Sequence, residues 1–180
     1  MLRLHGLDNI LQAMKILIEN QVNFTCTLFG VDNRWYEFYQ NQIYTERIET
    51  HVCLRKELTF SNYSLPLYLI ENCDLALGIF GNNQKADNAV PNKLIDALSM
   101  RLPTLTMKSP ALGEFFDSEI DFWTCDPSPE SIADSIQNIA NNTTFVVDWE
   151  QTRQKVLKLF SATQYQNIVS HVLYKAVEKY

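Results

Sequence analysis

The chain has 180 residues, 46% of them hydrophobic and 12% aromatic, with only five Gly and six Pro. That composition fits one globular domain with a real core and excludes a disordered, collagen-like or low-complexity chain. Fifteen Lys and Arg against 21 Asp and Glu leave a formal charge of −6, so there is no basic field for a polyanionic backbone and no nucleic-acid partner is expected.

In chain order, Ile10, Leu11, Met14, Leu17 and Ile18 recur at helical spacing behind an Asp8/Asn9 start signal, which predicts a helix over about 8 to 20. Asn23-Phe-Thr-Cys-Thr-Leu-Phe-Gly30 reads as a buried strand running into a loop over 30 to 33. A second helix over about 34 to 49 carries Trp35, Phe38, Tyr39 and Ile43 on one side, followed by a short strand over 50 to 54. Ser64 to Asn72 has helical spacing and leads into Asp74-Leu-Ala-Leu-Gly-Ile-Phe80, the best strand candidate of the chain. A polar loop over 81 to 88 ends near Pro91, placed as the first residue of a helix whose apolar face is Leu94, Ile95, Leu98 and Leu102.

Further on, Pro103 to Met107 reads as a strand, Ala111 to Phe116 as a short helix and Asp121 to Cys125 as a strand. A helix over 128 to 140 starts at Ser128 or Ser131, and the end, from about Trp149 to Tyr180, reads as helical throughout. Short strands alternating with helices predict an α/β fold, a parallel sheet with helices on both faces, because parallel neighbours need a crossover that covers the sheet. One domain over 1 to 180 is expected, with 149 to 180 as its closing helical segment. No apolar stretch approaches the roughly 20 residues that span a bilayer. The first 20 residues lack the basic start, apolar block and small-residue cleavage site of a secretory leader, so a cytoplasmic location is expected.

In open parallel sheets ligands bind beyond the carboxyl ends of the strands, which directs attention to the loops after Phe29, Phe80 and Met107. The middle loop is the richest. A helix starting near Pro91 offers free backbone N–H groups and a positive dipole end to a phosphate, and Lys85 and Lys93 add charge. Asp96 lies one turn on, and Asn92, Asp96 and Ser99 share the side opposite the apolar face, so a carboxylate stands just beyond the anion site and suits ribose hydroxyls. On spacing alone, a solvated helix face looks the same.

The other candidates read as structural. His5, His51 and His171 have no metal-ligand or base-nucleophile spacing, so no metal site is expected. Cys26, Cys53, Cys73 and Cys125 form no C-x-x-C, and three of them sit in or beside apolar runs, where a free thiol reads as a small core hydrophobe rather than a disulfide or metal ligand. Trp35, Phe38, Tyr39 and Tyr44 read as core aromatics rather than a base-stacking face. No G-x-S-x-G, P-loop or dinucleotide fingerprint occurs, which argues against a hydrolase elbow, a P-loop enzyme and a dehydrogenase.

The stretch from Asp74 to Leu105, with Leu77-Gly-Ile-Phe-Gly81, Lys85-Ala86, Pro91-Asn-Lys93 and Asp96-Ala-Leu98, resembles the nucleotide-sugar-binding half of family 4 (group 1) glycosyltransferases. Leu4-His-Gly-Leu-Asp8, Phe24 to Gly30, Ser109-Pro-Ala-Leu-Gly-Glu114 and Asp126-Pro-Ser-Pro-Glu130 are similar to further family segments in the same order. The resemblance implies a GT-B architecture of two Rossmann-like domains, of which this chain corresponds to the C-terminal one, with the acceptor-binding N-terminal domain absent. It implies metal-independent transfer, without a cofactor, from a UDP- or GDP-type nucleotide-diphospho-sugar to a glycan or lipid-linked acceptor in cell-envelope polysaccharide synthesis. Such work would take place in the cytoplasm or peripherally at the inner face of the membrane.

Carried onto this sequence, Asp96 stands in place of a ribose-binding Glu, one methylene shorter. Val90, Pro91, Asn92 and Lys93 face the diphosphate, and His5-Gly6 occupy the place of a phosphate-contacting Lys-Gly. Asn88 falls where the first Glu of an E-x7-E motif stands, a departure that bears on sugar recognition. Because the two halves of such an enzyme hold donor and acceptor on opposite sides of a cleft, the isolated half is expected not to turn over and to need a separate acceptor-binding domain or subunit. A non-catalytic nucleotide-sugar-binding or interaction module with the same fold is the competing reading.

Overall fold

The computed structural model describes residues 5–30, 33–118 and 120–177. Leu4, Val31, Asp32 and the last three positions of the expected closing helix lie outside the described residues. Strands and helices alternate along the chain. The first half contains α1 (Leu7–Glu19), β1 (Cys26–Phe29), α2 (Asn33–Thr45), β2 (Val52–Arg55), α3 (Ser64–Asn72), β3 (Ala76–Leu77) and α4 (Gln84–Asp87). Then follow α5 (Asn92–Ser99), β4 (Thr104–Met107), α6 (Pro110–Gly113), β5 (Trp123–Cys125), α7 (Pro129–Ala140), α8 (Trp149–Phe160) and α9 (Ala162–Val177).

All strand pairs among the described residues are parallel. They form two groups rather than one ladder. In the first, β1 pairs with β2 with Cys26 opposite Val52; in the second, β4 lies between β3 and β5, with Ala76 opposite Thr104 and Leu105 opposite Trp123. One apolar cluster nevertheless joins the groups, because Leu11, Met14 and Leu17 of α1, Val52 and Leu54 of β2, and Leu105 of β4 are buried together. The helix α1 packs on α7, which adds Ile132 and Ala133 to that cluster. A second cluster is built by Leu94 and Leu98 of α5, Leu112, Phe116, Phe122 and Val156 of α8. Burying each such Leu or Phe is worth about 1.5–3 kcal/mol, which makes the two clusters the main fixings of the helices.

Local chemistry explains several boundaries. Ser128 caps α7 by accepting the Ser131 N–H, which settles which serine starts that helix. The closing segment is two helices: Ser161 leaves the helical region with ψ 156° and its hydroxyl accepts the Gln164 N–H, starting α9 anew. Pro91 is the N-cap of α5 with extended ψ, not its first helical residue, and Leu102 is buried beyond the helix end. The polar loop holds a short helix, α4, capped by Asn83 Oδ1 on the Ala86 N–H at 3.1 Å and anchored by buried Ala86. The apolar run from 74 to 80 is regular strand only over Ala76 and Leu77, yet it stays bonded to β4 beyond them: the Gly78 N–H donates to the Leu105 carbonyl (2.8 Å), the Ile79 carbonyl accepts the Met107 N–H (3.0 Å), and the Thr106 hydroxyl takes the Ile79 N–H (3.2 Å).

Cys125 is buried as expected, but Cys53 faces solvent from β2 while its neighbours Val52 and Leu54 face the core, as strand alternation requires. In the aromatic stripe, Tyr39 is core, whereas Phe38 and Tyr44 are exposed. No helix among the described residues is long and apolar enough to cross a membrane.

At the start of β5, the buried Asp121 carboxylate accepts from Lys155 Nζ and from the Asp117 N–H (2.7 Å), and the Thr152 hydroxyl donates to the Asp121 carbonyl at 2.9 Å. These bonds staple α8 to the sheet. Asp121→Ala strands a half-buried ammonium, and a loss of about 2–3 kcal/mol in urea unfolding is expected. A loss under about 0.5 kcal/mol, the size typical of a surface substitution, would show that the pair contributes nothing.

Candidate functional site

The carboxyl end of β3 is where separate parts of the chain meet. Gly6 is the N-cap of α1 and sits in the left-handed region at φ 63°. It approaches the segment that follows β3 so closely that a Cβ there would lie 2.2 Å from the Phe80 carbonyl oxygen and 2.8 Å from the Gly81 nitrogen. Only glycine meets both conditions. The Phe80 N–H donates to the His5 carbonyl at 3.2 Å, while Asn9 Nδ2 donates to the Phe80 carbonyl at 3.1 Å and to the Pro127 carbonyl at 2.8 Å. The start of α1 is thereby stitched to the strand end from which the loop over 81 to 91 departs.

Across that loop stands the N-terminus of α5. Its first hydrogen bond within the helix comes from the Leu94 N–H to the Pro91 carbonyl at 3.0 Å, and no side chain caps it. The start of α1 also has no side-chain cap. By contrast, α4, α6, α7 and α8 are each capped by an Asn, Ser or Asp side chain. The start of α3 is likewise without a side-chain cap, but the starts of α1 and α5 lie near one another, close enough for the Lys93 ammonium to act on the His5 imidazole, and each carries partial positive charge.

The titratable groups sharpen this picture. Burial, and then the nearby Lys93 ammonium, hold the His5 imidazole down to about 4, so the ring is neutral at pH 7 and serves there as a hydrogen-bonding group. Burial pushes Lys93 down to about 8. Among the described residues no carboxylate pairs with Lys93, so the site holds a cation without its counter-charge. One turn along α5, burial raises the half-buried Asp96 carboxyl above its ordinary value, and its carboxylate has no hydrogen-bond partner among the described residues. An anion would satisfy the helix ends and Lys93, and hydroxyl groups one turn further would satisfy Asp96.

Of the residues singled out from the sequence, His5, Gly6, Pro91, Lys93 and Asp96 come together here, with Val90 half-buried against the α5–α8 cluster. Asn92 and Lys85 are exposed at the rim, Lys85 on α4. Asn88 is exposed and its amide donates to the Gln84 carbonyl at 2.9 Å, closing the end of α4. The Asp8/Asn9 signal is displaced: α1 starts earlier, at Leu7, and Asn9 points its amide out of the helix to two carbonyls. Nothing in the local pattern marks Asn9, because both acceptors are brought to it by the fold.

No family model matches the sequence, and neither does any curated protein. Solved structures do match. A glycosyltransferase from Rickettsia africae superposes with a TM-score of 0.75 at 13% identity, covering 98% of this chain and 46% of that one. Anabaena HepE, solved in complex with UDP and glucose, gives 0.74 at 14% identity over 97% of this chain and 46% of its own. The C-terminal domain of a group 1 glycosyl transferase family protein from Francisella tularensis gives 0.63 at 14% identity, over 92% of this chain and 82% of that domain. The chain thus spans about half the length of the first two structures and most of the isolated domain. Its parallel α/β architecture is that of the C-terminal, Rossmann-like half of a GT-B glycosyltransferase.

Proposed function

We propose that the chain is the donor half of a family 4 glycosyltransferase, binding a UDP- or GDP-type nucleotide-diphospho-sugar at the joined ends of α1 and α5. The observation that carries this reading is the convergence of two uncapped helix N-termini on Lys93, a half-buried cation with no carboxylate partner among the described residues. The diphosphate takes the N–H groups at Gly6 and at Asn92 and Lys93, and the Lys93 ammonium neutralises part of its charge. Asp96 then accepts from ribose hydroxyls, which also relieves its desolvation. His5, neutral at pH 7, donates or accepts one hydrogen bond at the rim of the anion. The likeness in fold to HepE, whose structure holds UDP and glucose, supports the same reading.

A transferase also needs an acceptor held against the donor, and a glycan or lipid-linked acceptor on a separate domain or subunit would supply it. Asn88 favours a second reading, a binding module without transfer, because its amide is engaged in closing α4. Calorimetric titration with UDP, GDP, ADP and their diphospho-sugars tests the donor site. Saturable binding of one nucleotide is expected, weakened about tenfold in Asp96→Ala through loss of a charged hydrogen-bond partner. Unchanged affinity in that variant would remove Asp96 from the site, and no binding of any nucleotide would overturn the donor reading.

A further inference from the structure

The geometry points to Asn9 as a positioning residue that holds the diphosphate end of the site in shape without touching the ligand. This rests on the donor reading above. Asn9 stands in the first turn of α1, yet both of its amide bonds go outside the helix: to the Phe80 carbonyl, three residues beyond β3, and to the Pro127 carbonyl before α7. Three junctions distant in sequence are thus tied by one side chain. The Phe80 carbonyl is also the group against which Gly6 is packed, and the Phe80 N–H holds His5. Asn9 therefore sets where the first turn of α1 sits relative to the loop that leads to Lys93. An amide is required because both acceptors are carbonyls and two donors on one nitrogen serve them together.

Two variants separate positioning from plain stability. Asn9→Ala removes both bonds. Asn9→Asp also removes them, sets a carboxylate against two carbonyl oxygens and adds negative charge near the anion, yet an acid in the first turn is favourable to the helix itself. Folding is expected to suffer at least as much in Asn9→Asp as in Asn9→Ala, so the positioning role is read from UDP affinity falling in both variants while uridine affinity in the folded protein stays nearly unchanged. Uridine and UDP are titrated into the wild-type chain and both variants, with the folded fraction checked by circular dichroism. The expected result is a roughly tenfold loss of UDP affinity in Asn9→Ala and a larger loss in Asn9→Asp, with uridine affinity changed less than about twofold.

Hydrogen exchange in the ligand-free chain provides an independent readout. The Phe80 amide is expected to lose protection in Asn9→Ala while the β4 amides keep theirs. Equal losses for uridine and UDP, or UDP affinity unchanged in both variants, would overturn the assignment. Wild-type protein that binds neither ligand but shows the local exchange effect would overturn the donor reading while leaving the tie between α1 and β3 in place. Unchanged exchange at Phe80 would overturn that tie.

Discussion

Gly6→Ala is expected to destabilise the chain by about 3 kcal/mol or more and to abolish nucleotide binding. A left-handed conformation costs a residue with a Cβ about 1–2 kcal/mol, and forcing atoms into a packed site costs about 1–3 kcal/mol more. At Gly6 both apply, since φ is 63° and the added carbon would lie 2.2 Å from backbone oxygen, which cannot swing aside as a side chain can. Gly30 provides the control. Its φ is 70°, but nothing lies within 4 Å of a Cβ built there, so Gly30→Ala should cost only the conformational part, about 1–2 kcal/mol. Urea unfolding of the two variants measures the difference. Equal losses would show that the approach of α1 to the end of β3 imposes no constraint, and the geometry proposed for the diphosphate would lose its basis.

UDP affinity is expected to fall as pH rises through about 8, where Lys93 gives up its proton in the ligand-free chain. The sign follows from linkage. A bound diphosphate favours the ammonium, so the complex holds its proton to higher pH than the free chain, and each unit above the free value costs up to about tenfold in affinity. Lys93→Met should lower affinity roughly ten- to hundredfold at pH 7, the worth of a charge-assisted hydrogen bond, and should flatten the profile above pH 8. A profile as steep in Lys93→Met as in the wild type would exclude Lys93 as its source.

Stability of the ligand-free chain should run the opposite way. The native values of His5 and Lys93, about 4 and about 8, lie below the ordinary 6.5 and 10.5. In each window the unfolded chain binds more protons, so these two groups make stability rise with pH from 4 to 6.5 and again from 8 to 10.5. Denaturation midpoints measured at constant ionic strength check both windows. His5→Gln should remove the acidic increment and Lys93→Met the alkaline one. The same desolvation that makes Lys93 a cost to the empty fold makes it available to an anion.

What the sequence by itself determined is what depends on near neighbours. The period of Ile10, Leu11, Met14 and Leu17 marks α1, since side chains three and four apart share one face, and every one of these residues is buried. Leu94 and Leu98 mark the inner face of α5, and Ser128 marks the start of α7 by a bond to a residue three places on. The place of the proposed site follows from the same kind of reading: a polar loop between an apolar run and a helix start puts Lys93 and Asp96 on successive turns.

Only the tertiary structure decided what that loop meets. The Thr106 hydroxyl arriving from β4 takes the Ile79 N–H beyond β3, and α4 formed in a loop too short and polar to show a period. The meeting of His5 with Lys93, the packing of Gly6 on Phe80 and the reach of Asn9 to Phe80 and Pro127 all join segments far apart in the chain. The shifts of His5 and Lys93 arise from the same cause. A local pattern carries the identity of a side chain and its face on a helix, whereas desolvation, close approach and shared acceptors exist only once distant segments pack together.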